Sequence, residues 1–267
     1  MDHVVVNGVT KQFGADHGQV TALEDVSLTL GRGQLASIIG PSGCGKSTLL
    51  RLVADILPPT SGEISVGGLP PRRLREEQRT GFVFQDPTLL PWRSILDNIR
   101  LPLQVARGRG RPGHYSPEDL LELVGLQDFG GARPHELSGG MRQRAGIARA
   151  LVQSPEVLLM DEPFGALDEI TRQRMNIELL RIWAESEVTA LLVTHSISEA
   201  VLMSDRIVVM TARPGRVGEI IDVDLPRPRS LEMMETERFF ELEKHVRHAL
   251  FSGSTGAPER ATAEAAA

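Results

Sequence analysis

Short runs of apolar residues alternate with longer segments of helical period along most of the chain. Each run is uninterrupted, which is typical of strands buried on both faces of a sheet. The predicted strands are 37–39, 81–84, 157–160, 190–193 and 206–210. The segments of helical period are 47–57, 142–154 and 169–186. This alternation predicts an α/β protein with a parallel sheet.

The segment 87–154 carries only helical patterning and loops, so we expect a helical subdomain inserted into a sheet domain that spans 1–225. Ser116 and Pro117 mark the start of one helix there, because Ser is a favoured cap and Pro fits the first helical position. The arginine-rich stretch 106–113 is interpreted as a solvated loop, with contact to lipid headgroups as the alternative.

Residues 226–252 follow a proline-broken stretch and predict a C-terminal helical extension. We expect this helix to pack on its own domain, and a regulatory or dimer-contact element is the alternative. The residues that share its apolar face are Phe239, Leu242, Val246 and Leu250. The last residues, 253–267, are small and polar enough to predict a disordered tail.

Composition excludes several classes of protein. The chain has 29 basic and 35 acidic residues, a net charge of −6, which argues against a nucleic-acid partner. No apolar stretch approaches the roughly 18 residues that would span a bilayer, and the first residues lack a secretory signal, so we expect a cytosolic chain. The single cysteine, Cys44, excludes an intrachain disulfide. Lysine occurs only at Lys11, Lys46 and Lys244, which makes the position of Lys46 informative.

The segment 40–48, called the phosphate loop below, fits the pattern G-x-x-x-x-G-K-[ST] between a predicted strand and a predicted helix. Its glycines let successive N–H groups point at phosphate oxygens, and the following helix adds its positive end. We expect Lys46 to neutralise the β- and γ-phosphates of ATP and Ser47 to bind Mg²⁺. Its neighbours also predict a lowered thiol pKa for Cys44, and an unreactive side chain that only spaces the loop is the alternative. The predicted ATP-binding residues of the loop are Gly40, Pro41, Ser42, Gly43, Cys44, Gly45, Lys46, Ser47 and Thr48.

Asp161 and Glu162 stand at the end of the apolar run 157–160. Lys46 already indicates a nucleotide site, which requires a metal-binding carboxylate on a neighbouring strand. We therefore expect Asp161 to bind Mg²⁺ and Glu162 to polarise the attacking water.

The segment 137–144 reads Leu-Ser-Gly-Gly-Met-Arg-Gln-Arg and predicts a second helix start suited to an anion. Its place after the phosphate loop and before Asp161 closely resembles the signature motif of ABC transporter ATPases. Gln85, Asp168 and His195 follow the order of that family's other motifs. The resemblance runs from about residue 4 to about residue 218. It implies a P-loop NTPase (RecA-like) core sheet with an inserted α-helical subdomain and a small N-terminal antiparallel β part.

The resemblance also implies roles within one subunit. Phe13 matches the aromatic that stacks on adenine, and a core phenylalanine is the alternative. Gln85 would reach Mg²⁺ and the water and would sense the membrane partner. His195 would contact the γ-phosphate. Gly165 stands where many relatives have Ser, so no hydroxyl contact is expected there.

Other roles belong to a dimer, because two such domains sandwich two ATP molecules head to tail in this family. Ser138, Gly139 and Gly140 would contact the γ-phosphate bound by the opposite subunit, and Asp168 would pair across the dimer near the partner's phosphate loop. One intact copy of each motif fits a homodimer, and a heterodimer with a similar chain is the alternative.

The segment 84–98 and the stretches 161–168, 211–216 and 225–228 look like the nitrate/sulfonate/taurine branch of bacterial importers. That branch implies two transmembrane permease subunits, a solute-binding protein acting through them, and a peripheral place on the cytoplasmic face of the cell membrane. Trp92 is expected near the groove for the permease, with an internal aromatic as the alternative. An importer of pyrimidine vitamin precursors and an exporter with separate membrane subunits are the alternative functions.

Overall fold

The computed structural model describes residues 2–15, 18–106, 115–165, 167–186 and 188–252. Within these ranges the strands form one sheet of three and one sheet of six. The strands are β1 Asp2–Ala15, β2 Gly18–Gly31, β3 Leu35–Ile39, β4 Ser61–Val66, β5 Thr80–Val83, β6 Val157–Asp161, β7 Thr189–Val193, β8 Arg206–Met210 and β9 Val217–Asp222. The helices are α1 Lys46–Val53, α2 Pro71–Glu76, α3 Ile95–Val105, α4 Pro117–Leu123, α5 Gly139–Leu151, α6 Glu169–Ser186, α7 Ile197–Met203 and α8 Glu237–Ser252.

The six-stranded sheet has the order β5-β6-β7-β3-β8-β9, parallel throughout except for the antiparallel β9. Its central strands β3 and β7 are buried at every residue, which explains why they are apolar apart from Ser37 and Thr189. β5 differs from the expectation of burial on both faces, because it lies at the sheet edge and its burial alternates. Phe84 follows the end of β5 and is exposed.

The three-stranded sheet is antiparallel, in the order β2-β1-β4, and forms the predicted N-terminal β part. Its apolar residues pack with those of α1 and the central strands in one buried cluster. This packing brings residues 22–24 of β2 against the segment that follows β8, where Gly215 N donates to Ala22 O at 3.0 Å. The smaller sheet therefore forms one wall of the phosphate loop.

The observed helices differ from the predicted ones mainly at their ends. α6 coincides with the predicted segment 169–186, whereas α1 ends at Val53 instead of 57. Asp55 adopts a left-handed φ of 55°, and the N–H groups of Ile56 and Leu57 fold back to Arg51 O. This turn closes the helix before the prolines at 58–59.

α3, α4 and α5 occupy the segment in which a helical subdomain was expected, and their apolar faces share one buried cluster with the flanking sheet and α6. α4 begins with a capping box, because Ser116 Oγ accepts from Asp119 N at 3.0 Å and Asp119 Oδ2 accepts from Ser116 N at 2.9 Å. The limits 87–154 of a separate subdomain stay a prediction. The arginine-rich stretch, apart from Ala106, lies outside the described residues, as does the tail 253–267.

α8 packs on its own domain. Phe239, Leu242 and Val246 are buried in a cluster with Ala200 and Val201 of α7. Because α7 follows directly after His195, the C-terminal helix supports the element that leads out of the candidate site. In the described part of the chain, no helix combines the length and the apolar character that crossing a bilayer requires.

Candidate active site at the phosphate loop

The phosphate loop runs from the end of β3 into α1, and its glycines are required by its geometry. Gly43 and Gly45 have φ angles of +75° and +94°, which only glycine adopts readily. A Cβ atom on Gly45 would also lie 2.5 Å from Leu23 Cδ2. The sequence pattern therefore corresponds to a loop whose backbone conformation and close packing both depend on glycine.

Lys46 starts α1 and is largely buried. Its Nζ donates to Gly40 O at 2.7 Å and to Pro41 O at 3.1 Å, so the ammonium group is held inside the loop. A cavity of about 280 Å³ opens here, lined by Ala22, Ser42, Gly43, Gly45, Lys46, Ser47, Thr48 and Glu162. A buried cation and the free N–H groups of a helix start suit this cavity to a polyphosphate.

Cys44 corrects one sequence expectation. Its side chain is 1% exposed, and burial raises the pKa of its thiol, although Lys46 opposes that shift. The sequence placed Cys44 next to a cation and a helix start but could not show that the thiol turns into the core. Cys44 therefore contributes backbone to the loop and an inert side chain to the packing.

Ser47, which lines the cavity, meets Asp161 at the end of β6. Ser47 Oγ donates to Asp161 Oδ1 at 2.8 Å, which joins the first turn of α1 to the end of β6. A hydroxyl and a carboxylate are the oxygen donors that Mg²⁺ prefers, so the pair fits this ion. Across the described ranges, no three His, Cys, Asp or Glu residues gather as a metal site of their own. The donor set fits a metal that shares its ligands with nucleotide phosphates.

Glu162 and His195 stand together at the same sheet edge. His195 Nδ1 lies 3.5 Å from Glu162 Oε2, and Glu162 N donates to Val193 O at 2.9 Å. Glu162 has a φ of 45°, a conformation uncommon for a residue with a side chain. The arrangement brings an acceptor carboxylate and an imidazole to the rim of the phosphate-loop cavity.

Gln85 follows β5 and is exposed, lining a separate cavity of about 560 Å³ with Gly139 of α5. Two residues that sequence reasoning missed hold the backbone around it. Gln143 Nε2 donates to Phe84 O at 3.2 Å, and Arg149 donates to Pro87 O at 2.6 Å and to Thr88 O at 3.0 Å. Their only sequence signal is their place on the helix that begins within the signature motif, where Gln143 lies inside the segment 137–144.

The signature residues Ser138, Gly139 and Gly140 form the start of α5, where Ser138 Oγ accepts from Met141 N at 3.3 Å. Ser138 and Gly139 are exposed. Asp168 is exposed at the start of α6, and its pKa is lowered by hydrogen bonds from Thr171. These residues do not line the phosphate-loop cavity of their own chain, as far as the described residues define it.

Phe13 and Trp92 lie at the surface, which excludes the alternative that either is a core aromatic. Phe13 is 37% exposed, and Lys11 Nζ lies 5.0 Å from the centroid of its ring. Trp92 is 67% exposed. Both rings are therefore accessible to a ligand or a partner.

With this geometry defined, comparison with known proteins identifies the family. The sequence profile described as "ABC transporter" matches residues 23–165, which is more than half of the chain. This chain belongs to the ABC transporter family. The predictions of an ABC-type ATPase and of its P-loop α/β fold are confirmed by this match and by the solved structures below.

Two individual relatives and one solved structure show which members of the family this chain is similar to. The chain is 43% identical over 252 residues to the nitrate import ATP-binding protein NrtD of Synechococcus elongatus, covering 91% of this chain and 89% of the relative. It is 41% identical over 243 residues to the aliphatic sulfonates import ATP-binding protein SsuB of Bacillus cereus, covering 91% and 94%. A solved dimeric ATP-binding cassette in a post-hydrolysis state with ADP and Pi matches with a TM-score of 0.70 at 32% identity, covering 84% of this chain and all of that one.

Proposed function

We propose that this chain binds and hydrolyses ATP to power an importer for small anions such as nitrate or organic sulfonates. The observation that carries the proposal is the cavity in which Lys46, the Ser47–Asp161 pair and Glu162 converge. The relatives named for nitrate and sulfonate import support the cargo class.

ATP binding rests on the phosphate loop. Its N–H groups and the start of α1 receive the β- and γ-phosphates, and Lys46 exchanges its bonds to the Gly40 and Pro41 carbonyls for phosphate oxygens. The residues that take part are those from Gly40 to Thr48. The exposed ring of Phe13 stacks on adenine. Stacking needs only the aromatic ring, so a phenylalanine serves here as well as a tyrosine would.

Ser47 and Asp161 would hold Mg²⁺ beside the nucleotide, with Gln85 as a further oxygen donor. When bound, this ion neutralises charge that develops on the phosphates. The Ser47–Asp161 hydrogen bond keeps both donors in place before the ion arrives.

Hydrolysis rests on Glu162 and His195. A water oxygen attacks the γ-phosphorus while Glu162 takes up the water proton, and the bond to the β-phosphate oxygen breaks to leave ADP. His195 donates to the γ-phosphate and stabilises its charge. The 3.5 Å separation of their side chains allows both to serve the same phosphate.

The partner subunit completes the site. Within the described part of the chain, Ser138, Gly139, Gly140 and Asp168 do not line the phosphate-loop cavity, and they would meet the nucleotide and phosphate loop of a second chain. The similar solved cassettes are dimers, which supports this arrangement. The second chain is another copy or a similar subunit.

One permease subunit docks beside Gln85 of each ATPase chain, so the dimer carries two. An open apolar groove of about 390 Å³ lies there between β5, α3 and α5, with Phe82, Phe84 and Val105 among its lining residues. Trp92, in the segment between β5 and α3, is 67% exposed and would add an apolar contact for the permease. This contact holds the chain on the cytoplasmic face of the membrane, and the solute-binding protein acts on it only through the permease.

The test of the ATPase proposal is the dimerisation of Glu162→Gln, which keeps the site but lacks the proton acceptor. Light scattering should show pairing with Mg-ATP and a single chain with Mg-ADP. If the chain with bound ATP stays single, the proposed composite site does not assemble from this chain alone.

The test of the cargo class is transport by the chain together with the membrane subunits that co-purify with it. Reconstituted vesicles should take up nitrate or an alkanesulfonate when ATP is supplied. Uptake of a pyrimidine precursor, or outward transport, would favour one of the alternative functions instead.

A further inference from the structure

A buried carboxyl group lies directly behind the turn that carries His195. Glu199 belongs to the first turn of α7 and is only 6% exposed. Its Oε2 accepts a hydrogen bond from the hydroxyl of Thr194, which is also buried. Burying a carboxyl group is unfavourable unless it is hydrogen-bonded, so this pair needs an explanation.

The hydrogen bonds of this pair close around His195. Thr194 Oγ1 accepts from Ser196 N at 3.0 Å, and Ser196 Oγ accepts from Glu199 N at 3.3 Å. The residue before His195 is therefore bonded to the Glu199 carboxyl group, and the residue after it caps the helix through the Glu199 backbone N–H. The network fixes the backbone that carries His195 and leaves its ring at 3.5 Å from Glu162.

Helix α6 supplies the other side of the cluster. Burial raises the pKa of Glu199, and the opposing influences are the Thr194 hydroxyl, the charges of Arg172 and His195, and the Asn176 amide. Arg172 and Asn176 are one helical turn apart, so they share a face of α6. Glu199 is thus held between its own turn and the helix that begins after Asp168.

Arg172 connects this cluster to the Asp168 turn. Its Nη2 donates to Leu167 O at 3.4 Å, and its backbone N donates to Asp168 O at 2.9 Å. Among the described residues, three buried atoms of the cluster have no hydrogen-bond partner: Glu199 Oε1, Asn176 Oδ1 and Arg172 Nε. Buried Nε atoms without a partner also occur at Arg79, Arg144 and Arg229 in the described residues, so what distinguishes this cluster is its unpartnered carboxyl and amide oxygens.

We propose that Glu199, acting through Thr194, is a positioning residue for His195, and that Arg172 extends the same network to the turn that carries Asp168. Neither Glu199 nor Thr194 touches the nucleotide in this scheme. The inference rests on the proposed role of His195 at the γ-phosphate. Its test distinguishes failure of the positioning role from failure of the proposed ATPase function.

The kinetic test compares Thr194→Val, which keeps the shape and removes the hydroxyl, with Thr194→Ser, which restores the hydroxyl. We expect kcat for ATP to fall about ten- to hundredfold in Thr194→Val with KM within about twofold, because only the reacting geometry changes. Thr194→Ser should recover most of the loss. Glu199→Gln should give an intermediate loss, since its amide still accepts from Thr194.

The second readout is the nuclear magnetic resonance signal of the His195 ring, assigned by its disappearance in His195→Gln. This signal should move in Thr194→Val and in Glu199→Gln without nucleotide. The matched control is Thr189→Val on the same strand β7, where the hydroxyl of a buried threonine accepts from Gly33 N at 2.9 Å. This control should lower stability without moving the His195 signal or kcat.

An unmoved His195 signal in both variants would overturn the positioning role, whatever happens to kcat. If Thr194→Val does not fold, Glu199→Gln decides the matter alone. If the wild-type chain does not hydrolyse ATP, the proposed function fails, but the ring signal still decides whether Glu199 positions His195.

Discussion

Lys46 is one of only three lysines in the chain and the one whose charge lies inside the phosphate loop. Lys46→Gln removes a buried cation that forms charge-assisted bonds, each worth about 1.5–3 kcal/mol. We expect the affinity for ATP to fall at least about tenfold, since about 1.4 kcal/mol corresponds to that factor. Titration with a fluorescent ATP analogue measures it.

The matched control for this change is Lys244→Gln, which removes the same charge from the exposed face of α8. It should bind ATP as the unaltered chain does. Equal loss in both variants would mean that the net charge of the chain, and not the position of Lys46, governs binding.

For Cys44 we predict that the thiol does not react while the chain is folded. Burial raises the pKa of the thiol, so the thiolate fraction near neutral pH is lower than for a free cysteine. We expect a maleimide to leave the folded chain unlabelled at pH 7.5 and to label one site per chain after denaturation, by mass spectrometry. Rapid labelling of the folded chain would contradict the buried position of Cys44.

For single residues, the sequence pattern was informative where the local structure depends on neighbours in the chain. Gly43, Gly45, Lys46 and Ser47 lie within five consecutive positions, so the sequence pattern alone indicates how they are arranged in space. Glu199 could not be found in this way, because its importance lies in burial and in contacts with α6 that spacing does not reveal. The error on Cys44 has the same cause.

At the scale of an element, two adjacent phenylalanines on α8 allow a buried side chain to be compared with an exposed one. Phe239 is buried against α7, whereas Phe240 is 57% exposed. Phe239→Ala should lower the free energy of unfolding by about 3–5 kcal/mol, because it leaves a cavity in the core. Urea unfolding followed by circular dichroism gives the value.

Phe240→Ala serves as the control and should change the free energy of unfolding by no more than about 0.5 kcal/mol, as is usual for surface positions. A small effect of both changes would mean that α8 is not a fixed part of the domain, which would favour the regulatory alternative for the C-terminal extension.

Strands could be predicted from the sequence where burial alone determined their residue pattern. β3 and β7 are buried on both faces and are therefore apolar apart from Ser37 and Thr189. β5 was misjudged, because position at a sheet edge depends on strand order and not on the strand itself. The end of α1 was also missed, since the left-handed turn at Asp55 carries no glycine to mark it.

At the scale of the whole molecule, the division of the site between two chains is the feature to test. The phosphate loop and the signature residues do not share a cavity within the described part of one chain. Lys46→Gln damages the first half of each site, and Gly139→Asp places a negative charge where the second half would meet the γ-phosphate. In a Glu162→Gln background, neither variant alone should form dimers with Mg-ATP.

Mixing the two variants distinguishes a shared site from one built within a single chain. In a head-to-tail pair, one site receives Lys46 from the Gly139→Asp chain and Gly139 from the Lys46→Gln chain, and is therefore intact, while the other site carries both changes. With one variant tagged, the mixture should yield tagged–untagged dimers that hold one ATP, measured by light scattering and by nucleotide content. A mixture that stays single would show that the two halves do not complement each other. Dimers of Gly139→Asp alone would show that the signature residues are not part of the ATP site.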